Sequence, residues 1–106
     1  GVKLLLKLVP GNDAKLLRDL VDRLRNKLGS SAILLAGTDG EKVSLVAGVS
    51  KDATNLVKAG DMVRVVAEQI GAKGGGRPDM AQGGGMDNGR LPDALEVLRR
   101  WVVEHA

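Results

Sequence analysis

Three consecutive glycines, Gly74, Gly75 and Gly76, stand between Lys73 and Arg77. Glycine lacks Cβ, so such a run lets the backbone adopt positive φ and lets a ligand come close to the peptide groups. Amide N–H groups converging on an anion, with a cation at each end of the run, are the ingredients of a phosphate cradle. The triplet lies within GAKGGGRPDMAQGGGMDNG, residues 71–89, which holds eight of the chain's fifteen glycines. The same composition suits a surface loop or a tight packing point, and the residue types alone leave these alternatives open.

Sharper nucleotide motifs are missing. A P-loop needs Ser or Thr directly after its lysine to reach magnesium, whereas Gly74 follows Lys73. A dinucleotide fingerprint opens a helix after a strand, whereas this segment follows a helical pattern. Asp79 and Asp87 could pair as carboxylates or hold magnesium, but aspartates in a glycine-rich segment more commonly form turns. One histidine and no cysteine cannot assemble a mixed His/Cys zinc site. His105 is expected to be solvated, and Trp101 to pack in the core by its spacing with Leu95, Leu98 and Val102. Met80 and Met86 suit either a core gap or an adaptable surface.

The elements that must position the glycine segment are legible in the apolar periodicity. Residues 2–9, VKLLLKLV, read as a buried strand, and Asn12 or Asp13 can cap the helix that follows. Over residues 14–28, Leu17, Leu20, Val21, Leu24 and Leu28 recur at helical spacing, with Lys15, Arg18, Asp22 and Arg25 on another face and Gly29 as the stop. AILLAG, residues 32–37, is a second strand, and strand, helix, strand in this order favours a right-handed parallel crossover. Residues 43–49 form a third strand, close enough to the second for an antiparallel hairpin, so the sheet should be mixed. A helix over about residues 60–70 buries Met62, Val63, Val66, Ala67 and Ile70, and Pro92 opens a last helix with Ala94, Leu95, Leu98, Trp101 and Val102 inward. The pattern predicts one α/β (α+β) domain over residues 1–106, a small mixed sheet packed by about three helices. The glycine segment is expected to be a loop between the last two.

Charge and composition narrow the partners. Net charge is +3, but residues 1–28 hold seven Lys/Arg against three Asp, and the remainder holds nine against ten acids. A basic first third attracts polyanions, although a solvated helix face has the same signature. Trp101 is the only aromatic residue, so stacking platforms for single-stranded RNA cannot be built, and backbone donors, Lys/Arg and shape suit structured RNA better. Lys3 and Lys7 interrupt the apolar start, which argues against a signal peptide, and no stretch reaches membrane-spanning length. A cytoplasmic location and no membrane partner are expected, with a monomer favoured.

VSLVAGVSKD (43–52), VKAGD (57–61) and above all GAKGGGRPDMAQGGG (71–85) resemble the C-terminal globular domain of alanyl-tRNA synthetase, a relative of the DHH-associated domain of phosphoesterases. Ala72 departs from the Gly-Gly-Lys more usual at the start of this motif. The resemblance implies a module that grips the outer corner of alanine-specific tRNA, where D and T loops meet, in concert with other domains of the same synthetase, and so supports aminoacylation and editing. It implies a tRNA-facing role for Lys73, Gly74, Gly75, Gly76, Arg77, Asp79, Met80 and Gln82. The ATP and alanine site and the zinc-binding editing domain of such a synthetase lie outside these residues. No catalytic residue, metal or cofactor is therefore expected here, ATP, magnesium and zinc belonging to the parent enzyme. Two alternatives remain: the substrate domain of a DHH-type phosphoesterase, disfavoured by Arg77 where that branch has His and by the lack of an Asp-His-His motif, and a structural or dimerisation module.

Overall fold

The computed structural model describes residues 2–11, 13–86 and 89–105. Lys3–Pro10 forms β1, Ala14–Leu28 forms α1 and Ser31–Thr38 forms β2. The two strands pair in parallel from Lys3 opposite Ser31 to Pro10 opposite Thr38, as the intervening helix requires. Asp13 caps α1, its carboxylate accepting from the amides of Lys15 and Leu16 at 3.0 and 3.3 Å; the alternative cap, Asn12, lies outside the described residues. Gly29 ends the helix at φ +75°, its N–H donating to the Arg25 oxygen at 3.2 Å.

Lys42–Val49 forms β3, antiparallel to β2 as expected. The turn between them is organised by Asp39, whose Oδ1 accepts from the amides of Glu41 and Lys42 at 3.0 and 2.8 Å. Gly40, at φ +97°, supplies the conformation that other residues avoid there. Ala59–Ile70 is α2 and Leu91–His105 is α3.

Helices cover both faces of the sheet. Ile33, Leu35 and Val46 meet Leu17 and Val21 of α1 on one face. Ala32, Leu34, Leu45, Ala47 and Val49 meet α2 and α3 on the other. Burial on both sides is why AILLAG reads as an unbroken apolar run, without strand alternation.

Three expectations change. First, β1 is an edge strand and only half-buried, because the sheet order β1-β2-β3-β5-β4 leaves it with one neighbour. Second, Leu20 stays exposed with Leu16, since α1 turns only the stripe of Leu17 and Val21 fully inward. Third, the glycine segment is not a loop: Lys73–Gly76 forms β4 and Met80–Met86 forms β5, paired antiparallel. The connection closes tightly, with the Arg77 amide donating to the Met80 oxygen at 3.0 Å. Pro78, its φ fixed near the value a first turn position needs, stands in the middle of it with Asp79. The architecture is otherwise the expected one, a single α/β domain with a five-stranded mixed sheet and three helices.

In α3, Leu91, Ala94, Leu98 and Val102 are buried, and Leu95 and Trp101 pack on the core from partly buried positions. His105 is exposed yet not merely solvated: its ring stacks on Trp101 with centroids 4.5 Å apart. None of the helices described is long and apolar enough to cross a membrane.

Two carboxylates couple this fold to pH. The amides of Lys42 and Glu41 hold the Asp39 carboxyl below its ordinary value, and the hydroxyls of Ser30 and Ser50 do the same for Asp52. A depressed folded-state pKa adds stability above the unfolded value, about 3.9, and that stability is lost as pH falls through the folded value. Thermal melts should show the parent losing stability below about pH 4, and Asp39→Asn should remove part of that loss while costing stability at neutral pH. An unchanged acid limb in Asp39→Asn would show that the turn does not contribute.

Candidate functional site

Strand alternation divides the hairpin's residues between two faces. Val46 faces α1, Gln82 lies opposite Val46, and Gly75 lies opposite Gln82. Lys73 and Gly75 therefore share the α1 side with Met80, Gln82, Gly84 and Met86. Gly74, Gly76, Ala81, Gly83 and Gly85 turn toward α2.

The α2-facing glycines are there because the helix sits almost on the strands. A Cβ at Gly74 would lie 2.5 Å from Val63 Cγ1 and 2.7 Å from the Gly83 Cα. At Gly83 it would meet the Lys73 oxygen at 2.6 Å and Val63 at 2.9 Å. At Gly85 it would meet the Ala72 methyl at 2.5 Å, so Ala72 is accommodated because residue 85 has no side chain. Gly76 has the triplet's one positive φ, +155°, and a Cβ there would press on Ala81.

Gly75 is different. Its φ is not positive, and a Cβ built on it meets nothing within 4 Å. A cradle of converging amides, one of the alternatives the residue types left open, is not what the triplet forms: an extended strand sends successive N–H groups to opposite sides within the sheet plane. Gly75 instead leaves a bare spot on the open face.

That face is open because α1 lies over β2 and β3 and leaves the hairpin uncovered beside it. A trough of about 220 Å³ results, lined by Arg18 of α1 and by Gly75, Gly76, Arg77, Met80, Ala81 and Gln82. Of the residues singled out in the sequence, this trough gathers Gly75, Gly76, Arg77, Met80 and Gln82. Lys73 is exposed on the same face of β4, one alternation from Gly75, while Gly74 is turned away against Val63. Asp79 sits in the turn, its carboxylate 3.8 Å from Arg77 Nε. Met80 packs partly into the α1 cluster, whereas Met86 is exposed. Asp87, the other carboxylate considered, lies outside the described residues.

The turn is fixed from three sides. The Pro78 oxygen accepts from the Ala59 amide at 2.8 Å, at the start of α2. The Asp79 oxygen accepts from the Val49 amide at 2.9 Å and from Arg25 Nη1 at 3.0 Å, tying β3 and α1 to one peptide group. Arg18 and Arg25 were visible in the sequence only as a polar helix face, and nothing local shows that this face adjoins the glycine hairpin.

A larger cleft of about 560 Å³ lies beyond the turn, lined by Arg25, Asn26, Ser30, Ser50, Lys51, Asp52 and Asp79 among others. Its charges offset one another, and Asp52 is already engaged by the Ser30 hydroxyl. Among the described residues, no group of three or more His, Cys, Asp or Glu could hold a metal ion. What the trough offers is therefore cations and bare backbone, the means of binding a polyanion by shape and charge.

The DHHA1 domain family matches residues 1–104 of the chain. The chain belongs to this family. Within it, the fold is that of a C-Ala domain: the C-Ala domain from Aquifex aeolicus alanyl-tRNA synthetase superposes with a TM-score of 0.86 at 31% identity, covering 96% of this chain and 95% of that one. The alanine–tRNA ligase of Saccharophagus degradans is 61% identical over 102 residues, and that of Delftia acidovorans 54% over 104. The chain spans only 12% of the length of these ligases. A pGpG-specific phosphodiesterase from Vibrio, 14% identical with a TM-score of 0.53, shares the fold alone.

Gly74 and Gly75, adjacent in β4, differ in what a side chain would meet. Gly74→Ala should overpack the contact with Val63 and destabilise the C-Ala fold by about 1–3 kcal/mol. Gly75→Ala should be neutral or stabilising by up to about 1 kcal/mol, because a glycine in a strand has an entropic cost and no contact opposes the methyl. Urea melts of both variants beside the parent check this, and an equal loss in the two would mean that Gly75 is held by packing after all.

Proposed function

We propose that this C-Ala domain is a tRNA-holding module of an alanine–tRNA ligase, and that the trough between α1 and the β4–β5 hairpin is where it meets the RNA. The observation that carries the proposal is Gly75. It is a residue the fold does not require, on the floor of an open trough, with Lys73 and Arg77 on the same strand and its continuation. Bare backbone between cations suits a sugar-phosphate surface approaching closely, and phosphate contacts position an RNA without reading its sequence.

On this view the outer corner of alanine-specific tRNA, where D and T loops meet, is the surface gripped, and the grip supports aminoacylation and editing by the other domains of the same synthetase in the cytoplasm. Lys73 and Arg77 supply charge, Gly75 supplies closeness, and Gln82 and Met80 border the floor. Gly74, Gly76 and Asp79 act indirectly, through the packing of α2 and the fixed turn. Catalysis, with the ATP, magnesium and zinc it uses, belongs to the rest of the ligase, so this chain alone should show neither ATP–pyrophosphate exchange nor deacylation of mischarged tRNA.

Titration with tRNA at several salt concentrations tests the proposal. Gly75→Val should lower affinity about tenfold or more, roughly 1.4 kcal/mol, with circular dichroism and melting unchanged or improved. Lys73→Ala should weaken binding and reduce the slope of log affinity against log salt by about one phosphate contact, roughly 0.7 to 0.9. If Gly75→Val binds tRNA as the parent does, the trough is not the RNA surface.

A further inference from the structure

The proposed RNA surface includes a wall that the glycine motif does not contain. We propose that α1 forms that wall: Arg18 contacts a phosphate of the bound tRNA, and Arg25 is a positioning residue that fixes the distance between α1 and the hairpin. The inference rests on the tRNA-holding role proposed above and assigns it residues outside the motif.

Arg25 makes two directed bonds with one guanidinium. Nη1 donates to the Asp79 oxygen at 3.0 Å and Nη2 to Asp22 Oδ1 at 2.8 Å, and its side chain is only 24% exposed. A planar fork held at both ends acts as a spacer between helix and turn, which a lysine's single ammonium reproduces poorly. Arg18 precedes Arg25 by seven residues, two helical turns, or about 10.5 Å along the axis of α1. From Asp79 to Gln82 is three residues of strand, about 10 Å. Helix and strand thus advance together from the point where Arg25 joins them, and Arg18 arrives level with Gln82 and Gly75, where it lines the trough.

The charge on Arg18 is available there. Asp22, one turn on from Arg18, is engaged by Arg25, and among the described residues the Arg18 side chain has no ion pair or hydrogen bond, with Asp19 or any other acid. Arg18 from α1 and Arg77 from the hairpin line the same trough as Gly75, which puts no side chain into it. Two cations brought from distant parts of the chain to one trough with bare backbone in its lining make a seat for a phosphodiester strand.

An alanine-specific tRNA transcript titrated against the parent, Arg18→Ala, Arg25→Met and Lys73→Ala across salt concentrations tests this, with melts and amide exchange recorded for each protein. Arg18→Ala should lower affinity about fivefold at low salt and reduce the salt slope by one contact, with an unchanged melt. Arg25→Met should lower affinity with the slope unchanged, and should speed amide exchange at Val49, whose partner is the Asp79 oxygen. If Lys73→Ala weakens binding while Arg18→Ala does not, or does so at an unchanged slope, α1 contributes no phosphate contact and only this inference falls. If Arg25→Met removes a contact from the slope, or leaves both affinity and Val49 exchange as in the parent, its positioning role is overturned. If neither Lys73→Ala nor Arg18→Ala alters tRNA binding, the trough itself is misassigned.

Discussion

One peptide oxygen, that of Asp79, joins three parts of the molecule. It accepts from the β3 amide of Val49 and from the Arg25 guanidinium of α1, while its neighbour, the Pro78 oxygen, accepts from the first amide of α2. Everything distinctive about the domain follows from having the hairpin's turn fixed there. The orphan amide at the start of α2 finds its partner, since that helix has no side-chain cap. The arginine face of α1 is brought beside the hairpin without lying over it, and one face of β4 and β5 is left open. Breaking any one bond leaves a donor without its acceptor in a partly buried place, which costs more than an average exposed hydrogen bond.

The glycines divide the hairpin's work by face. On the side of α2 they permit contact so close that side chains are excluded, and Val63 occupies the space that Cβ atoms at Gly74 and Gly83 would need. Such packing replaces ordinary interdigitation with direct approach of a helix to a backbone. On the other side, Gly75 answers no demand of the fold. Its strand carries a glycine's entropic cost with no contact above it that demands one.

Much of the architecture was legible because burial leaves a periodic trace. The crossover of β1, α1 and β2, the β2–β3 hairpin, the stripe of α2 and the inward positions of α3 all follow from apolar spacing and caps. The hairpin of β4 and β5 was not legible, because its strands are built mainly of glycine and carry almost no apolar alternation to read. Asp79 suited a turn, but a turn predicts a hairpin only when its flanks look like strands. Leu20 and the half-buried β1 were misjudged for a related reason: periodicity identifies an apolar stripe, but not how much of it a neighbour covers. For the site, the glycine motif and its two cations could be named from the sequence. Arg18 and Arg25 could not, since only the tertiary arrangement brings residues 18 and 25 beside residues 75 to 82.

The two sheet edges have a consequence for behaviour at high concentration. An edge strand presents unpaired backbone groups to any other chain in an extended conformation, and flat, side-chain-poor edges invite accretion most. Here β4 is only four residues long and bordered by Lys73 and Arg77, while β1 at the opposite edge exposes Lys3 and Lys7. Like charges repel a second copy approaching edge to edge, yet welcome a polyanion. Lysines and arginines set along both edges thus act against extension of the sheet by further copies of the chain.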